Sequence, residues 1–310
     1  VISNAYLLCR IADTIEDDKS MSVKKKHEFA NQFINVVKKN TDADFFSENL
    51  FNSLSSTATE AERNLIANTK KVIRITHSLN SRQKKALERC ISIMCEGMVK
   101  YQNLETLNGL KDLDDLNEYC YHVAGVVGEM LTEIFCDYSS DIDAHQNELM
   151  RLAVSFGQGL QMTNILKDIW EDHKRGACWL PRDHFEKHRI DIKNKVPGKN
   201  KSGFDDALIE LLGIAYDHLK NALRYTLLIP KKERGLRKFC LWAIGMAVLT
   251  LNKIRKNPNF IEGKQVKISR RDVKFTILVT SIFATNNTIL RYLFKLGGRN
   301  LPRRIIHERL

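Results

Sequence analysis

Residues 161–175 read Gln-Met-Thr-Asn-Ile-Leu-Lys-Asp-Ile-Trp-Glu-Asp-His-Lys-Arg. They contain no proline or glycine, and their apolar residues recur at helical spacing, which predicts one buried helix across the stretch. One stripe of that helix is polar. Its members are Gln161, Asn164, Asp168, Asp172 and Arg175, with Glu171 beside them. Buried carboxylates are costly unless they are paired or metal-bound, and carboxylate and amide oxygens suit Mg²⁺. A solvated helix face is the alternative.

A second polar stripe lies at the start of the chain, in residues 6–18 (YLLCRIADTIEDD). Its members at helical spacing are Tyr6, Arg10, Asp13 and Asp17. Two such helices could face each other across a pocket and hold several Mg²⁺ ions, which would bind a polyanion such as a diphosphate. Basic side chains in the two stretches would add direct phosphate contacts. These are Arg10, Lys167 and Arg175.

Both stretches resemble the aspartate motifs of the squalene/phytoene synthases: YLLCRIADTIEDD is similar to the first motif and QMTNILKDIWED to the second. Residues 119–128 (YCYHVAGVVG) resemble the central signature of the same family. The resemblance covers most of the chain, and the order and separation of the motifs also fit. It implies an all-α, single-domain fold over residues 1–310, an isoprenoid-synthase-like helical bundle with a central cavity between antiparallel helices.

Within this family, residues 238–250 and 266–270 resemble the squalene-type enzymes, whereas residues 178–183 (CWLPRD) resemble the phytoene-type loop about as closely. The resemblance implies a prenyltransferase that joins two farnesyl diphosphates head-to-head to presqualene diphosphate. Reduction by NADPH would then give squalene, a precursor of sterols or hopanoids. Phytoene or dehydrosqualene synthesis without reduction is one alternative. A non-catalytic helical assembly factor that retains the fold is an alternative of another class.

The resemblance also implies roles for individual residues. Those expected to hold Mg²⁺ are Asp13, Asp17, Asp168 and Asp172, with Glu171. Tyr119 would join the four aspartates as a catalytic residue, removing a proton or contacting the diphosphate. The other expected diphosphate contacts are Tyr6, Arg10, Gln161, Asn164, Lys167 and Arg175. The apolar wall of the cavity would exclude water from a carbocation.

A basic cluster beside the squalene-type segment is the candidate site for the phosphates of NADPH. It comprises Lys264, Lys267, Arg270 and Arg271. Clustered lysine and arginine side chains can neutralise phosphates through charge-assisted hydrogen bonds, and the sequence contains no glycine-rich phosphate loop. A solvated basic turn or a contact with an anionic membrane is the alternative.

Composition narrows the class of protein and its partners. Of the 310 residues 43% are hydrophobic, enough for a sizeable core, and the net charge of +12 suggests an anionic ligand or surface. The basic residues form no recognisable nucleic-acid motif, so no nucleic-acid partner is expected. The seven cysteines show no framework spacing, which predicts reduced core residues in a cytoplasmic protein. We expect the protein to be a monomer. In the family a helical segment precedes the first aspartate motif, and we expect that this segment is missing from the present sequence.

Apolar periodicity predicts helices, and no strands, along the rest of the chain. The predicted helices cover residues 22–40, 56–77, 82–102, 119–136, 204–228, 239–254 and 273–296. Asp112 is expected to cap the helix that follows it rather than to bind a metal. Ala124, Gly125 and Gly128 predict either close helix packing or the wall of a substrate tunnel.

Two patterns bear on membranes and on zinc. Residues 276–294 are too polar to span a membrane, so a helix packed on the core is expected there. The alternative is a helix at the membrane interface, which would give a peripheral membrane contact. His184 and His188 have a zinc-like spacing. The sequence shows no third ligand and no HExxH motif beside them, so no metal site is expected there.

Overall fold

The computed structural model describes residues 1–18, 20–102, 106–198 and 202–302. The helices of these residues are α1 (Ile2–Asp17), α2 (Val23–Val37), α3 (Ala43–Ser53), α4 (Glu60–Ala67), α5 (Thr69–Ser78), α6 (Ser81–Gln102), α7 (Leu113–Cys120), α8 (Val126–Tyr138), α9 (Ser140–Asp143), α10 (Gln146–Lys167), α11 (Ile169–Lys174), α12 (Arg182–Lys187), α13 (Ser202–Leu228), α14 (Arg234–Lys256), α15 (Arg270–Ile282) and α16 (Asn287–Gly297). A π-helical turn, Tyr121–Gly125, lies between α7 and α8 in the chain, and two 3₁₀ turns cover Ile192–Asn194 and Gly263–Gln265. Within these ranges there is no β-strand, which confirms the all-α prediction.

Contacts between the helices divide the chain into two compact units. The first comprises Val1–Leu104 with Val126–Gln146, and the second comprises Glu105–Gly125 with Asn147–Leu310. The units alternate along the sequence, unlike two domains joined end to end. Each acidic motif belongs to one unit: the first motif lies in α1 of the first unit, and the second lies in α10 and α11 of the second unit.

In the first unit, α1 packs against α2, α4, α5 and α6, and α6 in turn packs against α8. The face of α1 opposite its acidic stripe buries Leu8, Ile11 and Ile15 almost completely. Burying an aliphatic side chain of this size contributes about 1.5–3 kcal/mol, so this face fixes α1 firmly in its unit. The stacking of Phe33 on Phe46, with ring centroids 5.4 Å apart, joins α2 to α3.

In the second unit, α14 packs against α13, α15 and α16, and a buried arginine joins these helices. The guanidinium of Arg237 donates to the carbonyl oxygens of Thr226, Ile229 and Ala284 and to the side-chain oxygen of Asn287, over 2.6–3.2 Å. Burial lowers the pKa of Arg237, which reflects the cost of holding the charge inside the unit. The four acceptors offset that cost, so Arg237 fixes the start of α16 to α13 and α14.

Several predicted helices are interrupted. The predicted helix 56–77 is wrong as a single element, because it divides into α4 and α5 at Asn68, whose side chain donates to the carbonyl oxygen of Asn64 at 2.8 Å. The predicted helix 273–296 is also wrong as a single element. It divides because Asn286 caps α16, its side chain accepting the N–H of Ile289 at 3.1 Å. Helix α3 was not predicted.

The C-terminal helices expose a wide apolar surface. In α15 the only buried residue is Thr276, whereas Phe275, Leu278 and Ile282 are each more than half exposed. The expectation that this segment packs on the core is confirmed, because α15 and α16 both pack against α14, but it does not account for the exposed apolar outer face of α15. No helix among the described residues combines the length and the apolarity that crossing a membrane requires.

The predicted cap at Asp112 is confirmed. Asp112 caps α7, because its side chain accepts the N–H of Asp115 at 2.9 Å. Of the two alternatives for the small residues near position 124, the structure supports close packing at Ala124 and Gly125, within the second unit. A side-chain carbon on Gly157 in α10 would lie 2.3 Å from the carbonyl oxygen of Ala124, so only glycine fits there. The cysteines other than Cys9 are buried, which confirms the predicted core position for six of the seven.

Candidate functional site

The first acidic motif places two carboxylates one helical turn apart on α1. Burial raises the pKa of Asp13 to about 6; the positive charge of Arg10 opposes this shift, and the negative charge of Asp17 adds to it. The side chain of Asp13 is nevertheless 30% exposed, so a ligand can reach it. A partly buried carboxylate beside a second carboxylate is a position at which a cation is stabilising.

Arg10, predicted to contact a diphosphate, is held between two carboxylates in the first unit. Its guanidinium lies 3.1 Å from Asp13 and 3.2 Å from Glu62. Glu62 also closes the capping box of α4, and hydrogen bonds from Thr59 lower the pKa of Glu62. Arg10 is therefore oriented toward the acidic stripe by two partners. Tyr6, by contrast, is 62% exposed on the same helix.

The last aspartate of the first motif has a structural role that was not predicted. Asp18 is buried, and one of its oxygens accepts the N–H groups of Ser20 and Met21, while the other accepts the N–H of Ser55 at 2.7 Å. Asp18 thus fixes the end of α1 to the turn before α4. The sequence carries only a weak signal for this, an aspartate followed two residues later by a serine.

A cavity of about 260 Å³ lies beside Asp17 in the first unit. Its lining residues are Thr14, Asp17, Asp18, Ser55, Thr57, Ala58, Thr59 and Glu62. Because Asp18 and Glu62 are already engaged by backbone N–H groups, Asp17 is the acidic side chain of the motif that borders open space here. The hydroxyl-rich turn 55–59 was not predicted as part of a site.

The second acidic motif is not one continuous helix, and that prediction is wrong. Helix α10 ends at Lys167 and α11 begins at Ile169, with Asp168 between them at φ −100° and ψ 16°. The N–H of Asp168 still bonds the carbonyl oxygen of Asn164 at 2.9 Å, so the interruption is confined to one residue. The break coincides with the close approach of Gly263, on which a side-chain carbon would lie 2.8 Å from the carbonyl oxygen of Lys167.

One carboxylate lies at this break and two follow it. Asp172 is buried, and burial raises its pKa although Arg175 forms an ion pair with it. Glu171 accepts the N–H of Gly263 at 2.8 Å through one oxygen, while its second oxygen is buried without a hydrogen-bond partner. A side-chain carbon on Gly263 would lie 3.1 Å from that second oxygen and 3.2 Å from an oxygen of Asp168. Gly263 therefore lets two carboxylates of the motif approach the same space.

The donor set in each unit fits a hard divalent cation. Carboxylates whose pKa is raised by burial, and a buried carboxylate oxygen without a donor, are both stabilised by a cation. Within the described ranges, neither motif places three acidic donor atoms within 4.8 Å of one another. Such a pattern suits Mg²⁺, which is commonly bound by one or two carboxylates, with water and substrate phosphates as its remaining ligands.

The other predicted diphosphate contacts of the second unit lie on α10 and directly after α11. The ammonium of Lys167 lies 3.1 Å from Asp168, and Arg175 pairs with Asp172, so each predicted phosphate contact adjoins a predicted metal ligand. Gln161 is half-buried and Asn164 is exposed on α10. The stripe thus combines exposed and partly buried polar groups.

Tyr119 lies on α7 in the same unit and is 93% buried, being 7% exposed. Its ring stacks on Trp179 with a centroid distance of 4.3 Å and an angle of 5° between the ring planes. This stacking is a packing role that the sequence did not indicate for Trp179. The catalytic role of Tyr119 stays a prediction.

The predicted NADPH site lies on exposed residues of the second unit. Lys264, Lys267, Arg270 and Arg271 are all exposed, and the two arginines open α15. Lys264 directly follows Gly263, whose N–H binds Glu171. The structure therefore connects the basic segment to the second acidic motif, a link that the sequence did not reveal.

Comparison with known proteins gives the class of this chain. A family model described as squalene/phytoene synthase matches residues 1–272. The chain therefore belongs to the squalene/phytoene synthase family. It is 28% identical to squalene synthase ERG9 of Gibberella zeae over 96% of this chain and 62% of that protein. It is 31% identical to squalene synthase ERG9 of Candida albicans over 83% of this chain and 56% of that protein.

The chain thus spans about three-fifths of the length of these curated relatives. Among solved structures, it resembles a complex of TcSQS with the ligand BPH1237, with a TM-score of 0.74 and 21% identity over 100% of this chain and 85% of that one. This similarity confirms the predicted fold.

Proposed function

We propose that the protein is a squalene synthase, which condenses two farnesyl diphosphates to presqualene diphosphate and reduces this intermediate to squalene with NADPH. The observation that carries the proposal is the pair of acidic motifs, each with a carboxylate whose pKa burial raises and each with a basic side chain held beside it. The names of the curated relatives support the squalene-type reaction over phytoene or dehydrosqualene synthesis.

Mg²⁺, when bound, would neutralise the diphosphates and favour their departure. In the first unit Asp13 and Asp17 would hold it, and in the second unit Asp168 and Asp172 would do so, with Glu171 beside them. Arg10, Lys167 and Arg175 are already held next to these carboxylates, so their N–H groups can turn to a diphosphate oxygen with little loss of side-chain freedom. Tyr119 would accept a proton or contact the diphosphate.

Aspartate variants test the role of the two motifs. Asp13→Ala and Asp168→Ala should abolish Mg²⁺-dependent turnover while the helical circular dichroism is retained, because neither side chain is part of the apolar core. Asp44→Ala serves as a control, since this exposed aspartate pairs with Lys70 on the surface of the first unit. Turnover that persists in excess chelator would refute the metal role.

The basic segment 264–271 is proposed to bind the phosphates of NADPH. Its exposed side chains lie next to Gly263, which contacts the second acidic motif, so a reductant held there would be close to the proposed diphosphate site. Lys267→Ala with Arg271→Ala should therefore let presqualene diphosphate accumulate while squalene falls, because only the second half-reaction needs a reductant. Unchanged squalene output would mean that the segment is a solvated basic turn.

A peripheral membrane contact is proposed for the C-terminal helices. The exposed Phe275, Leu278 and Ile282 of α15 could insert into a lipid interface, and Lys274 lies next to them in sequence. Sedimentation with anionic vesicles should deplete the wild-type protein and leave a Phe275→Ser, Leu278→Ser, Ile282→Ser variant in solution. Equal sedimentation of both proteins would contradict this contact. The monomeric state and the cytoplasmic location stay predictions.

A further inference from the structure

Two histidines and a glutamate meet in the second unit, away in sequence from either acidic motif. His184 lies within α12, His188 directly follows the end of this helix one turn later, and Glu210 lies on α13. The Nε2 atom of His184 is 3.6 Å from one carboxylate oxygen of Glu210, and the Nε2 atom of His188 is 3.4 Å from the other. The metal-binding atoms of these three residues all lie within 4.8 Å of one another.

These separations are close to those that a zinc ion requires. Zinc binds nitrogen and oxygen at about 2.0–2.2 Å in tetrahedral geometry, so neighbouring ligand atoms lie about 3.3–3.5 Å apart. The two histidine–glutamate separations are within a few tenths of an ångström of that value. Among the described residues this is the one group of three potential metal ligands that is already assembled. The sequence pattern showed the two histidines but not the glutamate, which lies twenty-two residues after His188.

The protonation state and accessibility of the three groups also suit a metal. Burial lowers the pKa of His184, which favours the neutral imidazole that a metal binds. Its Nε2 atom lies 3.1 Å from the carbonyl oxygen of Ala207, a contact that metal binding would replace. His188 is partly exposed and the side chain of Glu210 is 57% exposed, so an ion can enter from solvent and keep a water as its fourth ligand.

We propose that His184, His188 and Glu210 form a zinc site that joins α12 to α13 within the second unit. Imidazole nitrogen favours zinc and similar transition metals, whereas the all-oxygen aspartate motifs favour Mg²⁺, so the two kinds of site differ in metal preference. Zinc bound here connects two helices that are separated in sequence by the polar loop after α12. Zinc bound here would stabilise the contact between α12 and α13, and this effect needs no role in the prenyl-transfer reaction.

The test is zinc binding to chelator-treated protein in a buffer containing excess Mg²⁺, which occupies the all-oxygen sites. Isothermal titration calorimetry should show one zinc ion bound per chain, and zinc should raise the melting temperature because it binds only the folded state. Glu210→Gln and His188→Ala should each weaken zinc binding at least about tenfold. Glu186→Gln removes an exposed carboxylate of α12, and His145→Ala removes an exposed histidine of the first unit; both should bind zinc as the wild type does.

A second measurement keeps the test independent of how the variants fold. Co²⁺ bound to the wild-type protein in place of zinc should give the visible absorption bands of a tetrahedral nitrogen-and-oxygen site, and zinc should abolish these bands by displacing the cobalt. Wild-type protein without a zinc-displaceable tetrahedral cobalt spectrum would overturn the proposal. So would Glu210→Gln and His188→Ala variants that bind zinc with wild-type affinity. In that case the three side chains form only a hydrogen-bonded ionic cluster.

Discussion

Two aspartates of the first acidic motif, Asp13 and Asp18, should have opposite effects on the free energy of unfolding when their charge is removed. The pKa of Asp13 is raised from 3.8 to about 6 by burial, whereas Asp18 has a lowered pKa, because hydrogen bonds from Ser55 and Ser20 outweigh the effect of its burial. In metal-free protein at pH 7, Asp13→Asn should therefore increase the free energy of unfolding, and Asp18→Asn should decrease it.

The pKa of Asp13 and the hydrogen bonds of Asp18 give the size of the two changes in stability. A folded-state pKa above the unfolded value means that stability falls as the pH rises from about 3.8 through 6. A difference of one in pKa corresponds to about 1.36 kcal/mol, so the negative charge of Asp13 lowers the free energy of unfolding by about 3 kcal/mol at most. Solvent screening at a side chain that is 30% exposed reduces this effect toward about 1 kcal/mol. Asp18→Asn should lower the free energy of unfolding by about 1–3 kcal/mol. Both carboxylate oxygens of Asp18 accept backbone N–H groups, and the NH₂ group of an asparagine would face at least one of these N–H groups in place of an oxygen.

Urea unfolding followed by circular dichroism, in EDTA at pH 7 and at pH 4, measures both effects. The gain from Asp13→Asn should shrink at pH 4, where the wild-type side chain is protonated in the folded state. The loss from Asp18→Asn should persist at pH 4 and shrink in a further measurement at lower pH, because the stability from a lowered pKa is full well above the unfolded value of 3.8 and is lost as the pH falls through the folded value. An Asp13→Asn variant that is no more stable than the wild type at pH 7 would refute the reasoning.

Three further predictions concern packing and catalysis. Arg237→Met should destabilise the protein by about 3–5 kcal/mol in chemical denaturation, because it strands buried carbonyl oxygens, whereas the exposed Arg234→Met should change stability little. Gly157→Ala should lower the melting temperature sharply, because the added Cβ atom would lie 2.3 Å from the carbonyl oxygen of Ala124. As a control, the Cβ atom of Gly235→Ala would have no neighbouring atom within 4 Å, so this variant should stabilise α14 by up to about 1 kcal/mol. Tyr119→Phe should slow the first condensation more than it lowers stability, and normal turnover by this variant would make Tyr119 a core aromatic only.

Apolar periodicity was sufficient for the helical class and for the helices with one continuous apolar face. Helices α6 and α13 follow their predicted ranges closely, because Leu and Ile residues at helical spacing decide their burial locally. The breaks at Asn68 and Asn286 were not predictable from that periodicity, since each depends on which backbone group the asparagine side chain contacts. The break at Asp168 coincides with the approach of Gly263, ninety-five residues further along the chain.

The candidate site shows the same division between local and long-range information. The types and spacing of Asp13, Asp17, Asp168 and Asp172 could be identified from the sequence, because both motifs are local patterns. Their differing environments could not, because the raised pKa of Asp13 and the buried, unpartnered oxygen of Glu171 arise from tertiary packing. The same limit applies to Glu210, which completes the histidine group from another helix.

The central claim is tested most directly by identifying the product formed from farnesyl diphosphate. The protein is incubated with farnesyl diphosphate and Mg²⁺, with and without NADPH, and the products are separated and identified by mass spectrometry. We expect squalene when NADPH is present and presqualene diphosphate when it is withheld. An unreduced polyene at every NADPH concentration would assign the protein to the phytoene or dehydrosqualene branch. The absence of any condensation product would contradict the enzymatic assignment itself.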